Sequence, residues 1–568
     1  MADSPKHWCR IPQLENYIID PQERREIAIP LYEGNDTYHS CLRYAVNWSE
    51  IVEIYPNFDN FTIDPLWPVE SCLDGWEYNL TEIHSSIVID FDLVCNKNIY
   101  PTLGLVGLNL GGPFGVYMFG VINDRCGRRI SFFTCLTIGI VGNLLTAVAP
   151  NFWFWAVSRL IVGFTVPAVY QIPFIISLEL VGPNYRSFVT VMTCLFYTFG
   201  LIILSGVTYM LRDWRVLSIA TSAPFVLYYI YWCFLPESPR WLIARGQFKE
   251  ALKILEKLAR INKKDFPPSV KQKLKENISF LETKKEKHKM GPGIQALFKT
   301  PNMRLKTLLI SLNWFANEMV YVGLSYYGPA LGSNPYLSFL LSSLVEIPSY
   351  LLIWFVMDRW GRRWPLAVSM ILSGILSIIT VLLPSDAVLL ILVLFLVSKF
   401  AISASFLIIY PFAGELFPTE VRGIGIGTAA YISGLGLAII PFITHLGSES
   451  MVLPLVILGV ISIIGGISSL RLPETLHHSL PQTVEEGEEF GKEWSIKDCC
   501  SCIPPRLEDS EAYDDLDKKT DIALLPTSSL SETTPITRQH RVPKLVKQAS
   551  IMETPLDSYG SMKLTYWF

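Results

Sequence analysis

The chain has 568 residues; half are hydrophobic and only 17% carry a charge, against about 25% in a typical soluble protein, and its mean hydropathy is +0.34. That balance excludes a wholly soluble enzyme, and equally a disordered, collagen-like or disulfide-scaffold chain. The net charge of −4 conceals a segregation: 17 acids against 6 bases in residues 1–98, and 18 bases against 7 acids in residues 236–306.

In chain order, residues 1–98 read as an extracellular segment. They contain no apolar run of signal-peptide length. They hold an even set of cysteines, Cys9, Cys41, Cys72 and Cys95, suited to two disulfides whose pairing the sequence leaves open. Four Asn-x-Ser/Thr acceptors, Asn35, Asn47, Asn60 and Asn79, crowd the same segment and are expected to be glycosylated.

A helix rises 1.5 Å per residue, so about 20 apolar residues cross about 30 Å of hydrocarbon. Five such stretches occupy residues 100–122, 130–149, 153–178, 188–211 and 215–235, within a first bundle at 99–235. Residues 236–306 form a basic loop with short amphipathic helices; lying between apolar segments, it suits a membrane flank and not a nucleic-acid partner. Six more spans follow at 307–330, 336–357, 365–384, 387–411, 424–446 and 451–471, within a second bundle at 307–475. Arg125, Arg128 and Arg129 in one short turn, Arg359, Arg362 and Arg363 in another, and the basic loop all fall on one side, which the positive-inside rule assigns to the cytosol. Eleven spans then put the N-terminal segment outside and the tail, 476–568, inside, in a multi-pass protein of the plasma membrane. The tail reads as disordered. It carries Cys499, Cys500 and Cys502, candidates for palmitoylation, and ends in Tyr566-Trp567-Phe568, a candidate ligand for a cytosolic scaffold.

The chain repeats itself. Asp124-Arg-Cys-Gly-Arg-Arg129 recurs as Asp358-Arg-Trp-Gly-Arg-Arg363 at an offset of 234. Glu179 with Arg186 recurs as Glu415 with Arg422 at 236; Leu235-Pro-Glu-Ser238 recurs as Leu472-Pro-Glu-Thr475 at 237. Ser158-Arg159 recurs as Ser398-Lys399. Two homologous bundles in tandem suit a carrier with its site at the bundle interface. The second bundle has six helices and the first five, so the repeat calls for a partner helix before residue 1.

These residues also carry a resemblance. Gly120 followed by Asp124-Arg-x-Gly-Arg-Arg, Arg159, the Glu179/Arg186 pair and Pro236-Glu-Ser-Pro-Arg240-Trp look like the major facilitator superfamily. Cys72-Leu-Asp-Gly-Trp76, Asp92-Leu-Val-Cys95, Asn334-Pro-Tyr and Leu344-Val-Glu346-Ile-Pro348 resemble the organic cation/carnitine transporter family. The resemblance covers roughly residues 7–476, and Trp354 stands where the family pattern has glycine. It implies an all-α membrane fold of two bundles with about eleven transmembrane helices. It also implies transport of an organic cation or zwitterion by alternating access, with no cofactor or metal and no enzymatic activity. His7-Trp-Cys-Arg-Ile-Pro12 resembles family sequence that follows the first helix, so the resemblance too implies that helix one is missing. Asp124, Arg125, Arg128, Glu179, Arg186, Glu237 and Arg240, with Asp358, Arg362, Glu415 and Arg422, fall at inner helix ends, where the superfamily places salt bridges that lock one conformation.

Charge at membrane depth costs at least about 2.5–3.5 kcal/mol and calls for a reason. Glu318 lies 12 residues from Lys306 and Glu346 lies 12 before Asp358, so both sit about 18 Å from the same face. Trp314, Glu318, Tyr321 and Ser325 share one helical stripe; Phe339, Ser342, Glu346 and Tyr350 share another. Carboxylates between aromatic faces would attract a cation through Coulomb and cation–π terms. The competing expectation is that each acid pairs with Arg159 or Lys399. Glu346 ranks first, as the match to the family's helix-eight acid; Gln171, Arg159 and Lys399 complete the candidate binding set. Gly434 replaces an acid of the cation carriers, and Lys399 could meet a carboxylate, which favours a zwitterion of the carnitine, carcinine or β-alanine type. A sugar porter and a non-transporting chain that regulates a full-length partner are the alternatives.

Overall fold

The computed structural model describes residues 5–492 except 19, 32–37, 55–62, 65, 81–83, 183–184, 264–293, 333, 385, 419–420, 449–451, 477, 479–480 and 482. The tail cysteines, the terminal aromatics, Asn35 and Asn60 lie outside the described residues.

The membrane helices are α1 (Ile99–Cys126), α2 (Arg128–Ala147), α3 (Phe152–Leu180), α4 (Arg186–Met210) and α5 (Trp214–Leu227), the last extended by a 3-10 turn, Tyr228–Cys233. After the loop come α6 (Pro301–Tyr327), α7 (Pro335–Leu344), α8 (Glu346–Trp360), α9 (Arg363–Val381), α10 (Val388–Leu416), α11 (Arg422–Leu437), α12 (Ile440–His445) and α13 (Val452–Ser469). α7 and α8 form one span interrupted at Val345, and α11 and α12 form another. Residue chemistry sets the boundaries. Asn151, Asp213 and Asn334 cap α3, α5 and α7 by accepting backbone N–H bonds, and Pro301 opens α6 where no N–H is needed.

Among the described residues ten helices are long and apolar enough to cross a membrane. The remaining expected span, 307–330, is present as α6, but it is not one of the ten. Its Asn313, Trp314 and Asn317 are buried against α11 and α13, so its polar groups face protein instead of lipid.

In the first bundle α1 packs along α3, and α2 on α3 and α5. The α1–α3 crossing is close because small residues line it: a Cβ on Gly115 would lie 1.9 Å from the Phe164 carbonyl oxygen. In the second bundle α9 packs on α10 and α13, and α6 on α11 and α13. One continuous apolar core fills this bundle and takes in Val191, Cys194 and Leu195 of α4.

The repeat has a common physical device. Gly127 (φ +100°) precedes α2, and the Glu237 carboxylate accepts the N–H groups of Arg128 and Arg129 at 2.9 and 3.2 Å. Gly361 (φ +85°) stands equivalently before α9, and Glu474 accepts from Arg362 and Arg363 at 2.9 and 3.0 Å. Each carboxylate satisfies orphan helix N–H groups and meets the positive end of the helix dipole. Each glycine is required twice over: a Cβ would strike its glutamate, and the positive φ disfavours any other residue.

The N-terminal segment holds two antiparallel pairs, His7–Cys9 with Trp76–Tyr78 and Leu42–Tyr44 with Val69–Ser71. Disulfides join Cys9 to Cys72 and Cys41 to Cys95, settling the pairing the sequence left open. Closing loops of about 50–60 residues, each is worth about 4 kcal/mol in the chain-entropy account. The segment is anchored on α5: Asp90 accepts from Trp214 Nε1 at 3.1 Å and lies 3.4 Å from Arg215. Asn47 is exposed, as a glycan acceptor must be, and Asn79 is half-buried.

Candidate functional site

The α7/α8 interruption places Glu346 at the first position of α8, fully buried. Lys399 of α10, equally buried, lies 3.0 Å from its Oε1. The ammonium also donates to Ser325 Oγ at 2.6 Å and to the Tyr321 carbonyl at 3.3 Å, and sits 3.6 Å from the Tyr321 ring centroid. Glu346 Oε2 accepts from Tyr350 at 3.3 Å and, from the first bundle, from Thr198 at 3.0 Å. Both charges are thus paired and hydrogen-bonded, the condition for holding them out of water.

Glu318 has a different setting. One turn along α6 from Trp314, it is half-buried, and its Oε2 accepts a single hydrogen bond, from Ser433 Oγ of α11 at 3.2 Å. Among the described residues no cation pairs with it. Its flanks are aromatic: Trp314 lies 5.0 Å from Tyr410, Tyr410 lies 5.5 Å from Phe406, and Phe406 stacks on Tyr321 at 4.6 Å. The neighbouring Asn317 has a buried Nδ2 with no partner among the described residues, although its Oδ1 accepts from Ser405 at 3.2 Å.

The first bundle contributes the opposite charge. Arg159 of α3 donates to Ser218 at 3.3 Å and lies over Trp155, and its buried Nε has no partner among the described residues. No carboxylate pairs with it there. At 100° per residue, Arg159, Tyr170 and Phe174 share a stripe of α3; Tyr170 faces Tyr197 of α4 at 6.0 Å.

The structure therefore brings Tyr321, Tyr350, Glu346 and Lys399 together, places Trp314 against Tyr410 on the Glu318 side, and shows no contact of Glu318 or Arg159 with the Glu346–Lys399 pair or with each other among the described residues. Phe339 and Gln171 are half-buried, and no side-chain contact to this group is described for either. Tyr410, Phe406, Ser433 and Thr198 were missed. The first two stand four apart on one helix, a signal that could have found them; nothing in the sequence ties Thr198 or Ser433 to a carboxylate in the other half or five helices away.

At the arginine-rich ends Arg128 lies 3.5 Å from both Asp124 and Glu179, and Arg362 lies 3.2 Å from Glu415. These pairs stay within their bundles. Glu415 takes Arg362 where Arg422 was its partner in the repeat pattern; Arg422 Nε donates to the Phe417 carbonyl. Arg125 offers its carbonyl to Arg245. Arg240 opens a short helix, Pro239–Ala244, and makes no ion pair among the described residues. The side chains of Arg186 and Asp358 lie outside the described set.

Residues 76–486 match the family model "Sugar (and other) transporter". The chain is 54% identical to the carcinine transporter of Drosophila melanogaster, covering all of this chain and 89% of that protein. It is 40% identical to the β-alanine transporter of the same organism (89% and 84% covered), and 32% identical to human organic cation/carnitine transporter 2 (85% and 86%). The chain belongs to the organic cation/carnitine transporter family of the major facilitator superfamily. The family fold is also seen in the xylose transporter XylE from E. coli in a partially occluded inward open conformation, with a TM-score of 0.53 at 17% identity, covering 71% of this chain and 91% of that one.

Proposed function

We propose that this protein carries a small organic cation or zwitterion across the plasma membrane by alternating access, with its arginine-rich helix ends in the cytosol. The observation that carries the reading is Glu318. A carboxylate at membrane depth with no cation paired to it among the described residues, flanked by a Trp–Tyr–Phe–Tyr cluster, suits a substrate ammonium group. Glu346 already holds Lys399, so the expected order of the two acids is reversed: Glu318 docks the cation, and Glu346 keeps Lys399 in place. Arg159, without a counterion among the described residues, and the orphan Asn317 amide can receive a substrate carboxylate or other acceptor. An amine such as carcinine, or the amino end of a β-alanine-type zwitterion, suits the Glu318 carboxylate, and the named substrates of the two Drosophila relatives agree with it. A neutral sugar brings no cationic group to the Glu318 carboxylate.

The test is uptake by the purified full chain in liposomes. Labelled carcinine or β-alanine should enter and be competed by other amines, and not by glucose. Entry of glucose, or binding of amines without uptake, would overturn the proposal.

A further inference from the structure

The contacts between α4 and the interrupted α7/α8 span form a ladder with three rungs. At one end the Phe188 ring meets Trp354 at 6.0 Å. At the other the Tyr209 ring meets Tyr336 edge-on at 5.6 Å, and Ser205 Oγ donates to the Tyr336 carbonyl at 3.2 Å. Between them Thr198 donates to Glu346 at 3.0 Å. Phe188 and Tyr209 are 21 residues apart, about 31 Å along a helix, so the ladder runs the full depth of the hydrocarbon. Phe188 and Tyr209 are exposed rings, 44% and 54% accessible, whereas Thr198 and Glu346 are closed off at 0% and 1%. The middle rung coincides with the break at Val345, where the helix can bend.

We propose that the two aromatic pairs are alternating gates and that Thr198–Glu346 is the pivot about which they exchange. Opening toward the cytosol parts Phe188 from Trp354 while Tyr209–Tyr336 holds; opening outward does the reverse. Aromatic pairs suit this use because they are weak enough to part within a transport cycle. Trp354 stands where the first half of the internal repeat has Gly120, and glycine could make no such contact, so the inner gate is peculiar to the second half. Both pairs are made in this structure, so the seam is closed at both ends.

The inference rests on the alternating-access reading, and the experiment separates the two. Cys194, a free cysteine, lies on α4 between the inner and middle rungs and is buried. Its alkylation by a membrane-impermeant maleimide is read by peptide mass spectrometry in inside-out and right-side-out vesicles. Trp354→Ala should raise labelling from the cytosolic face about tenfold, the scale set by one lost aromatic pair, and leave the outer face unchanged. Trp354→Phe should restore protection, and Tyr209→Ala, which loosens the seam beyond the closed Thr198–Glu346 rung, should leave Cys194 protected from both faces. Unchanged labelling in Trp354→Ala, or a rise from both faces or from the outer face, overturns the gates. Loss of wild-type uptake in the same vesicles would instead count against alternating access itself.

Discussion

Glu346 and Glu318 are two carboxylates at one depth in adjacent spans, each a turn from a buried aromatic residue, yet their surroundings have opposite consequences. Around Glu346 the protein has supplied a cation, a phenol and a threonine hydroxyl, so the acid is satisfied before any substrate arrives. Around Glu318 the described residues supply one serine and an aromatic cluster, and on the proposed reading the charge is met by the substrate. Depth identifies a charge that needs an explanation; the neighbour's charge decides whether that explanation is structural or functional.

The largest expected effect breaks the first setting. Lys399→Met leaves Glu346 buried without its cation and should cost about 3–5 kcal/mol, read as a lowered Tm of the purified protein. Adding Glu346→Gln should recover most of that loss, because no uncompensated charge then remains. If the double substitution is as unstable as the single, the two residues are not a closed pair. In the second setting Glu318→Gln should change stability, read from Tm, by no more than about 0.5 kcal/mol, as the carboxylate has no charged partner to lose among the described residues. Its KM for a cationic substrate should rise about 10–100-fold, the worth of one charge-assisted contact.

Much of this was legible in the sequence. Ten of the eleven expected spans, the tandem bundles and the repeated Asp-Arg-x-Gly-Arg-Arg turns follow from hydropathy and self-similarity, because lipid imposes long apolar runs and duplication copies helix ends. The pairing of Glu346 with Lys399 was one of two readings that spacing allowed; the choice needed the distance between α8 and α10. Glu237 reads as a gate charge and Glu474 only as its counterpart in the repeat; the structure adds that both cap helices, since a carboxylate's backbone partners 108 to 112 residues away leave no trace in composition. The helix α6 falls short of the apolar criterion because its polar residues serve the bundle interior.

Smaller effects sharpen the comparison between the repeats. Glu237→Gln and Glu474→Gln should each cost about 1.5–3 kcal/mol, since each charged cap meets two N–H groups; similar losses in Tm would support one shared device, and a neutral result at either position would contradict it there. The smallest effect lies at the short helix Val484–Glu489. There Glu488 accepts from the N–H groups of Asn302 and Met303 at 3.0 and 2.8 Å. Burial works against its ionisation, yet side-chain and backbone hydrogen bonds hold its carboxyl below the ordinary carboxylate range. A depressed value stabilises the docked helix above the ordinary carboxyl pKa, and the contribution fades as pH falls through the lowered value. Amide exchange in residues 484–490 should therefore quicken below about pH 4 and stay slow at neutral pH; exchange independent of pH-corrected chemistry would remove Glu488 from that role.

The most direct measurement is equilibrium binding of a labelled quaternary ammonium compound to purified Glu318→Gln, beside the Lys399→Met/Glu346→Gln protein. The account predicts that the first loses affinity about 10–100-fold, while the second, with its central pair neutralised together, retains binding close to wild type. Undiminished affinity in Glu318→Gln, with binding lost in the double substitution, would contradict it and return the cation to Glu346.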